Sequence, residues 1–300
     1  EGGDEIVHRE NEDDGADDGV GGGAADAESV AGGIVTLVAA DSVAEAEAKA
    51  LAVGEFDALG SSLVHQLALS YGLSDDLQLS LALGYYSGSD FIDAEEDGLG
   101  GVESATGDPS GLTDTWVNAK WRVMHGANGH LALIGGVKLP TGKDDETLSS
   151  GEELEPSSQP GSGSVDYQAG LAYSRFLSAR TTLDASVLYT VRTEHQDFEV
   201  GDRADVGVAL AYRLTEDVQA PNNWSVFGEL NGIWLDEDVA AGASNENSGG
   251  ETVYLTLGVR ERFNEHAALS LAPAVPVLQD TNGEQVEADW RLGVALTFSL

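Results

Sequence analysis

The sequence predicts an all-β chain, folded as a transmembrane antiparallel up-and-down β-barrel of about twelve strands. Three observations predict it. Strict apolar/polar alternation runs over segments longer than the roughly five or six residues of ordinary soluble strands. The connections alternate between short polar turns and long loops. Where one parity of a segment is wholly apolar, the other is rich in Gly, Ala, Ser and Thr with scattered Arg, which suits a narrow wet lumen better than the charged outer face of a soluble sandwich.

The C-terminal segment shows the alternation most clearly. Val286, Ala288, Trp290, Leu292, Val294, Leu296, Phe298 and Leu300 share one parity, while Glu287, Asp289, Arg291, Gly293, Ala295, Thr297 and Ser299 share the other. The same division marks 252–262, 205–214, 183–192 and 77–86. Weaker segments fall near 61–73, 113–124, 129–139, 163–176, 224–235 and 267–278. A first strand near 32–40 brings the number to twelve, which returns both chain ends to the short-turn side. Residues 43–51 carry both helix-forming composition and period-two alternation, so this stretch reads either as a loop helix or as the top of a long strand.

Short turns are expected near 74–76, 125–129, 177–180, 215–223 and 264–266, and long loops near 41–60, 89–112, 140–162, 193–202, 236–250 and 279–285. Aromatic residues near segment ends, Tyr71, Tyr85, Tyr173, Trp224 and Trp234, suit interfacial girdles or ordinary strand preference. Residues 1–31 form an acidic, Gly-rich N-terminal tail, and 32–300 form the barrel, with no second domain.

Composition excludes several function classes. The 14 Lys and Arg against 53 Asp and Glu give a formal charge of −39, too acidic to neutralise phosphates, so nucleic acid is not a partner. The absence of Cys removes disulfides, thiolate nucleophiles and Cys-ligated metals. No run approaches the roughly eighteen apolar residues of a membrane helix, and the first residues lack a basic and then apolar leader, as expected of a chain whose signal peptide has been removed. About 39 of the 53 acidic residues fall in the tail and the six long loops, a distribution suited to a saline habitat.

Gly135-Gly-Val-Lys-Leu-Pro-Thr-Gly-Lys143, then a polar loop, then Gln159-Pro-Gly-Ser-Gly-Ser-Val-Asp-Tyr-Gln-Ala-Gly-Leu-Ala-Tyr173 resembles the outer-membrane family named for the putative MetA pathway of phenol degradation. Alternating strands on both sides extend the resemblance over 32–300. It implies a barrel in the outer membrane of a Gram-negative-type bacterium, with transport of small, aromatic compounds, and supplies no catalytic residues. The last strand also resembles the signal read by the barrel-assembly machinery, a partner during biogenesis, with Gly293, Leu296 and Phe298 in place; Leu300 departs from the usual terminal aromatic residue.

Within the signature, Pro140 ends strand pairing, Thr141-Gly142 permits a tight exit, and Pro160-Gly161 does the equivalent before the next strand. These five residues are expected to shape a loop at the pore mouth.

Eight basic residues fall on the lumen parity: Lys120, Arg122, Lys138, Arg192, Arg213, Arg260, Arg262 and Arg291. Asp166, Asp184, Asp205, Glu229, Glu287 and Asp289 are acidic partners within reach of that face. The set reads as a charged path for small aromatic or anionic solutes, with Glu229 and Asp289 among its lining, or as ion pairs that fill a narrow barrel. Twelve strands about 4.8 Å apart and tilted about 40° enclose a backbone diameter near 24 Å and a lumen of about 10 Å or less. An inward-folded loop 140–162 would close even that.

The leading expectation is an outer-membrane channel or transporter, passive or facilitated, in contact with outer-membrane lipid and small solutes. One alternative is a plugged structural barrel presenting acidic loops, with Asp90, Asp93, Glu95, Glu96 and Asp97 or Asp13–Asp18 offering oxygens to divalent cations, though without the spacing of a calcium loop. A lipid-active enzyme built on His65 and Ser87 is the weakest reading, because neither an orienting partner nor an oxyanion site accompanies the pair. No metal site, cofactor or catalytic residue is assigned.

Overall fold

The computed structural model describes residues 28–38, 50–51, 55–127, 129–217, 220, 222–283, 285 and 287–299. Its strands are β1 (Glu28–Val38), β2 (Glu55–Ser74), β3 (Leu77–Glu96), β4 (Val102–Gly107), β5 (Ser110–Leu112), β6 (Thr115–Met124), β7 (His130–Leu139), β8 (Asp166–Ser178) and β9 (Thr181–Val191). They continue with β10 (Phe198–Glu199), β11 (Arg203–Arg213), β12 (Asn223–Leu235), β13 (Val239–Ala240), β14 (Ala243–Ser244), β15 (Gly250–Arg262), β16 (Ala267–Thr281) and β17 (Ala288–Ser299).

Among the described residues, twelve of these strands close a hydrogen-bonded antiparallel ring. Its order is β1, β2, β3, β6, β7, β8, β9, β11, β12, β15, β16 and β17, and β17 pairs back onto β1 from Glu28↔Ser299 to Val38↔Ala288. Closure leaves the ring with no unpaired edge, as a sheet in hydrocarbon requires.

Register sorts the side chains into two faces. Along β12, Trp224, Val226, Leu230 and Trp234 are exposed, and along β11 so are Val206, Val208, Leu210 and Tyr212. The belt continues through Leu257 on β15, Leu269 and Leu271 on β16, and Trp290, Val294 and Phe298 on β17. In water so continuous an apolar surface would drive association, whereas in lipid it is solvated. Trp224 and Trp234 stand at opposite ends of β12, about 25 Å apart along the axis of a barrel tilted by about 40°, which is the height of a hydrocarbon belt. Tyr71 and Tyr85 are also exposed, and Tyr173 is half-buried.

Three features depart from the sequence expectations. First, β2 and β3 run for 20 residues each, so the hairpin extends through stretches expected as loop, and β4 and β5 add onto β3. At about 3.3 Å per residue such strands exceed what hydrocarbon needs, and their distal halves face no lipid, so the apolar alternation lapses there. Second, β1 begins at Glu28, four residues before the expected boundary at 32, because Glu28–Ala31 pair with both Ser299–Leu296 and Ser70–Leu67. Third, β10, β13 and β14 form a separate three-stranded sheet joining two long loops. Residues 1–27 and most of 43–51 lie outside the described residues; Ala50 and Leu51 are helical.

The buried apolar clusters belong to the extension. Ala50 packs with Ile92 and Ala94, while Phe91 and Ala105 pack with Leu148 and Leu154 from the loop between β7 and β8.

Candidate functional site

The loop signature forms a compact polar knot at the long-loop end of the barrel. Lys138 is the penultimate residue of β7, and its register partner is Asp166, the first residue of β8. Lys138 Nζ lies 2.5 Å from Asp166 Oδ2 and 3.1 Å from Asp114 Oδ2, and it also donates to the hydroxyls of Ser162 and Ser164. Lys138, Asp114 and Asp166 are all buried. A buried ammonium with its donors engaged by two carboxylates is the arrangement in which an ion pair in a dry site persists.

The same carboxylates organise the surrounding backbone. Asp114 Oδ1 accepts from the Gly142 N–H at 2.9 Å, and Oδ2 accepts from the Ser162 N–H at 3.0 Å and its hydroxyl at 3.1 Å. Burial pushes the Asp114 carboxyl up, but the Ser162 and Gly142 N–H groups and then Lys138 outweigh it and hold the pKa below the ordinary value. Asp166 Oδ1 accepts from the Ser164 hydroxyl at 2.8 Å and the Thr193 N–H at 3.1 Å, which ties in the loop after β9.

The expected pore-mouth residues sit around this knot. Thr141 Oγ1 accepts from the Thr115 N–H at 3.0 Å, Gly142 and Gly161 pack backbone to backbone, Pro160 is buried, and Pro140 is exposed at the strand end. Gln159 closes the loop on itself: its Nε2 donates to the carbonyls of Glu146 and Leu154, and its Oε1 accepts from the Glu146 N–H. Asp114 was not singled out in the sequence, because nothing local marks an acid 24 positions before Lys138 as its partner.

At the short-turn end, Arg122 holds the β2–β3 turn, with Nε 2.9 Å from Asp76 Oδ1 and Nη2 2.7 Å from the Asp75 carbonyl. Arg213 donates to the Ala179 carbonyl at 2.8 Å in the β8–β9 turn. Lys120, Arg260 and Arg262 share this end of the barrel on the face opposite the apolar belt, with Arg260 across from Ser225 and Ser270, and Arg262 across from Asn223 and Ala268. Glu229 lies mid-strand between Ala209 and Thr256. Asp289 is exposed and is the extra residue where the β1–β17 register shifts between Leu37 and Val38, so strand pairing does not fix its face.

A second basic group lies in the long-loop half. Arg291 faces Ala274 across the sheet and places its guanidinium 3.9 Å from the ring centroid of Tyr254, a buried residue two strands away. Arg203, which the sequence reading passed over, lies across from Thr190 and Leu235 and grips Asp205 through two bonds of 2.6 and 2.8 Å. Its parity with Asp205 and Arg213 was the signal that could have found it. Arg192 follows β9; burial first and the Arg203 charge second hold its pKa below that of an ordinary arginine, against the pull of Asp166, Asp238 and Asp205. Asp238, in the adjoining loop, is pushed up by burial, which the Gly201 N–H and Arg192 only partly offset.

The remaining expectations find these places. Asp90, Asp93, Glu95 and Glu96 are strand residues of β3, not loop residues, and Glu95 stands directly across from both Glu55 and Glu103. Among the described residues no group of three or more acidic or His side chains is arranged to hold a metal ion. His65 is paired with Tyr85 and Ser87 with Leu63, and no hydrogen bond joins His65 to Ser87 among the described residues.

The architecture has known counterparts. An outer membrane channel from Pseudomonas putida F1 is similar over 93% of this chain and 96% of its own, with a TM-score of 0.62 at 14% identity. The NanC porin is similar over 91% of this chain and 100% of its own, with a TM-score of 0.51 at 8% identity. At such identities the likeness concerns the fold, an outer-membrane-type barrel. No curated protein matches the sequence. The model of the family described as "Putative MetA-pathway of phenol degradation" matches residues 57–272, which spans the knot and nine of the ring's strands in whole or in large part, and the chain belongs to that family.

Proposed function

We propose that this protein is an outer-membrane channel through which small solutes, aromatic or anionic, cross passively. One observation carries the reading: a closed ring of twelve strands turns an apolar face outward while its other face holds Arg, Lys and small polar side chains. A charge placed on that inward face would otherwise face an expensive burial, and a water-filled path solvates it. The solved outer membrane channel with the same fold and the family's description in terms of phenol degradation support the same reading.

The basic residues divide into two tasks. Lys138, Arg122 and Arg213 fasten the loop base and two short turns. Lys120, Arg192, Arg260 and Arg291 form no ion pair within 4.0 Å among the described residues, and with Arg262 they bias the path toward anions. The loop 140–162 spends Leu148 and Leu154 on Phe91 and Ala105 of the extension, so it flanks the mouth. The acidic long loops suit a saline medium, and the barrel-assembly machinery is the partner that would insert such a barrel into the outer membrane.

Planar-bilayer recording of the purified protein tests the reading. Discrete conductance steps with an anion-favouring reversal potential are expected; a barrel that never conducts overturns it.

A further inference from the structure

In the long-loop half of the barrel, basic side chains of β17 and β11 lie near one buried ring, and a third, just after β9, lies near that of β11. Tyr254 of β15 is only 4% exposed, and the Arg291 guanidinium covers its face at 3.9 Å. Arg291 can lie along the wall because β16, the strand it crosses, carries only Ala272, Ala274 and Pro276 in that region. Arg203 lies in the same neighbourhood, its Nε and Nη2 held by Asp205 at 2.8 and 2.6 Å. Arg192 sits two positions past Thr190, the register partner of Arg203. The charges of Arg203 and Asp205 act on Arg291, and those of Arg203, Asp166, Asp238 and Asp205 act on Arg192.

Arg203 therefore lies near both Arg291 and Arg192, and of the three only Arg203 has an ion-pair partner within 4.0 Å among the described residues. Arg291 Nε is buried with no hydrogen-bond partner among the described residues. Like charges held together at low dielectric repel unless an anion lies between them, and a buried donor without an acceptor loses the hydrogen bond it made to water. The planar fork of a guanidinium matches the two oxygens of a carboxylate, which a spherical ion does not.

We infer that Arg291, Arg203 and Arg192 form, around Tyr254, a subsite for a small organic carboxylate on its way through the barrel. The inference rests on the channel reading and deepens it by naming the solute class. Asp205 is the positioning residue, because it holds Arg203 by Nε and Nη2 and leaves the Nη1 end to meet the anion, while the face of Tyr254 fixes the Arg291 fork. The other acids near Arg192 already have donors: Asp238 accepts from the Gly201 N–H, Asp166 is held by Lys138 and Asp202 accepts from the Arg192 N–H, which leaves Arg291 without an ion-pair partner within 4.0 Å among the described residues. A subsite open to the lumen on one side holds its anion weakly enough to release it onward.

Sodium benzoate and uncharged benzyl alcohol, of nearly equal size, serve as probes of the full chain in detergent micelles by titration calorimetry. Benzoate is expected to bind saturably in the millimolar range, with affinity falling roughly tenfold in Arg291→Gln and in Arg203→Gln, while benzyl alcohol shows no saturable binding. Arg192→Gln, a change outside the strands, is expected to weaken benzoate severalfold and serves if a strand variant does not fold. Benzoate affinity unchanged in these variants, or benzyl alcohol bound equally well, overturns the subsite. Conductance steps without benzoate binding overturn the subsite and leave the channel standing. Arginine-dependent benzoate binding to a barrel that never conducts supports the subsite and overturns the channel.

Discussion

Gly142 and Gly161 touch backbone to backbone: a Cβ placed on either would stand 2.7 Å from the Cα of the other. Neither glycine is needed for a left-handed φ, so closeness alone explains the residue type. The contact brings the N–H of Gly142 and of Ser162 onto the two oxygens of Asp114. It is the physical content of the Pro-Thr-Gly and Pro-Gly-Ser halves of the signature.

Gly161→Ala should push the two halves apart, because the atom it meets is backbone and cannot rotate away. Loss of about 1–3 kcal/mol of local stability is expected, of the size found for overpacking. Limited proteolysis should show faster cleavage within 140–162 while the barrel itself remains folded. Cleavage at the wild-type rate would count against the contact.

Lys138→Met removes the ammonium and leaves Asp114 and Asp166 buried without their cation. A cost of about 3–5 kcal/mol is expected at neutral pH, larger than for most single changes in a loop base. Thermal unfolding in micelles measures it, and Lys138→Met combined with Asp166→Asn should recover part of the loss.

The same knot sets a pH dependence. The pKa of Asp114 is lower in the folded protein than in the unfolded chain, so its contribution is present above the ordinary carboxylate value of about 3.9 and disappears as the pH falls through the lower, folded value. Protection of the loop from an acid-active protease should stay level from neutral pH down to about 4 and decline below that. A decline centred between pH 6 and 7, the range of about one unit around an ordinary histidine, would point to another group.

Leu257 is 63% exposed midway along β15, on the face where Val226, Leu230 and Val294 are also exposed. Leu257→Arg should destabilise the barrel in a bilayer by about 2–4 kcal/mol, the cost of a cation on the lipid face near the midplane. Arg260 lies three positions on and faces the other way, so Arg260→Gln combined with Arg262→Gln should shift the reversal potential toward cations by several millivolts in a tenfold salt gradient. An unshifted potential would remove these two residues from the ion path.

Most of the ring was legible in the sequence because hydrocarbon imposes a rule that period two can satisfy in only one way. Each strand must show lipid an apolar side chain at every second position, and Val206 to Tyr212 or Trp290 to Phe298 record that rule directly. Beyond the membrane the rule ends, which is why the distal halves of β2 and β3, with Asp93 across from Asp57, read as loop. Parity likewise put the basic residues on one face but could not tell Lys138, held by two acids, from Arg260.

What the sequence determined by itself is therefore the antiparallel β-barrel class, the order of the main strands and, for most of their residues, the face a side chain takes, since those follow from local alternation and chain direction. Tertiary structure alone decided which charges are spent on one another. Asp114, Lys138 and Asp166 meet, as do Arg291 and Tyr254, only because ring closure and loop folding bring distant positions together. Coulomb interaction depends on separation in space and on the water excluded between charges, and neither quantity is written in the spacing of residues along the chain.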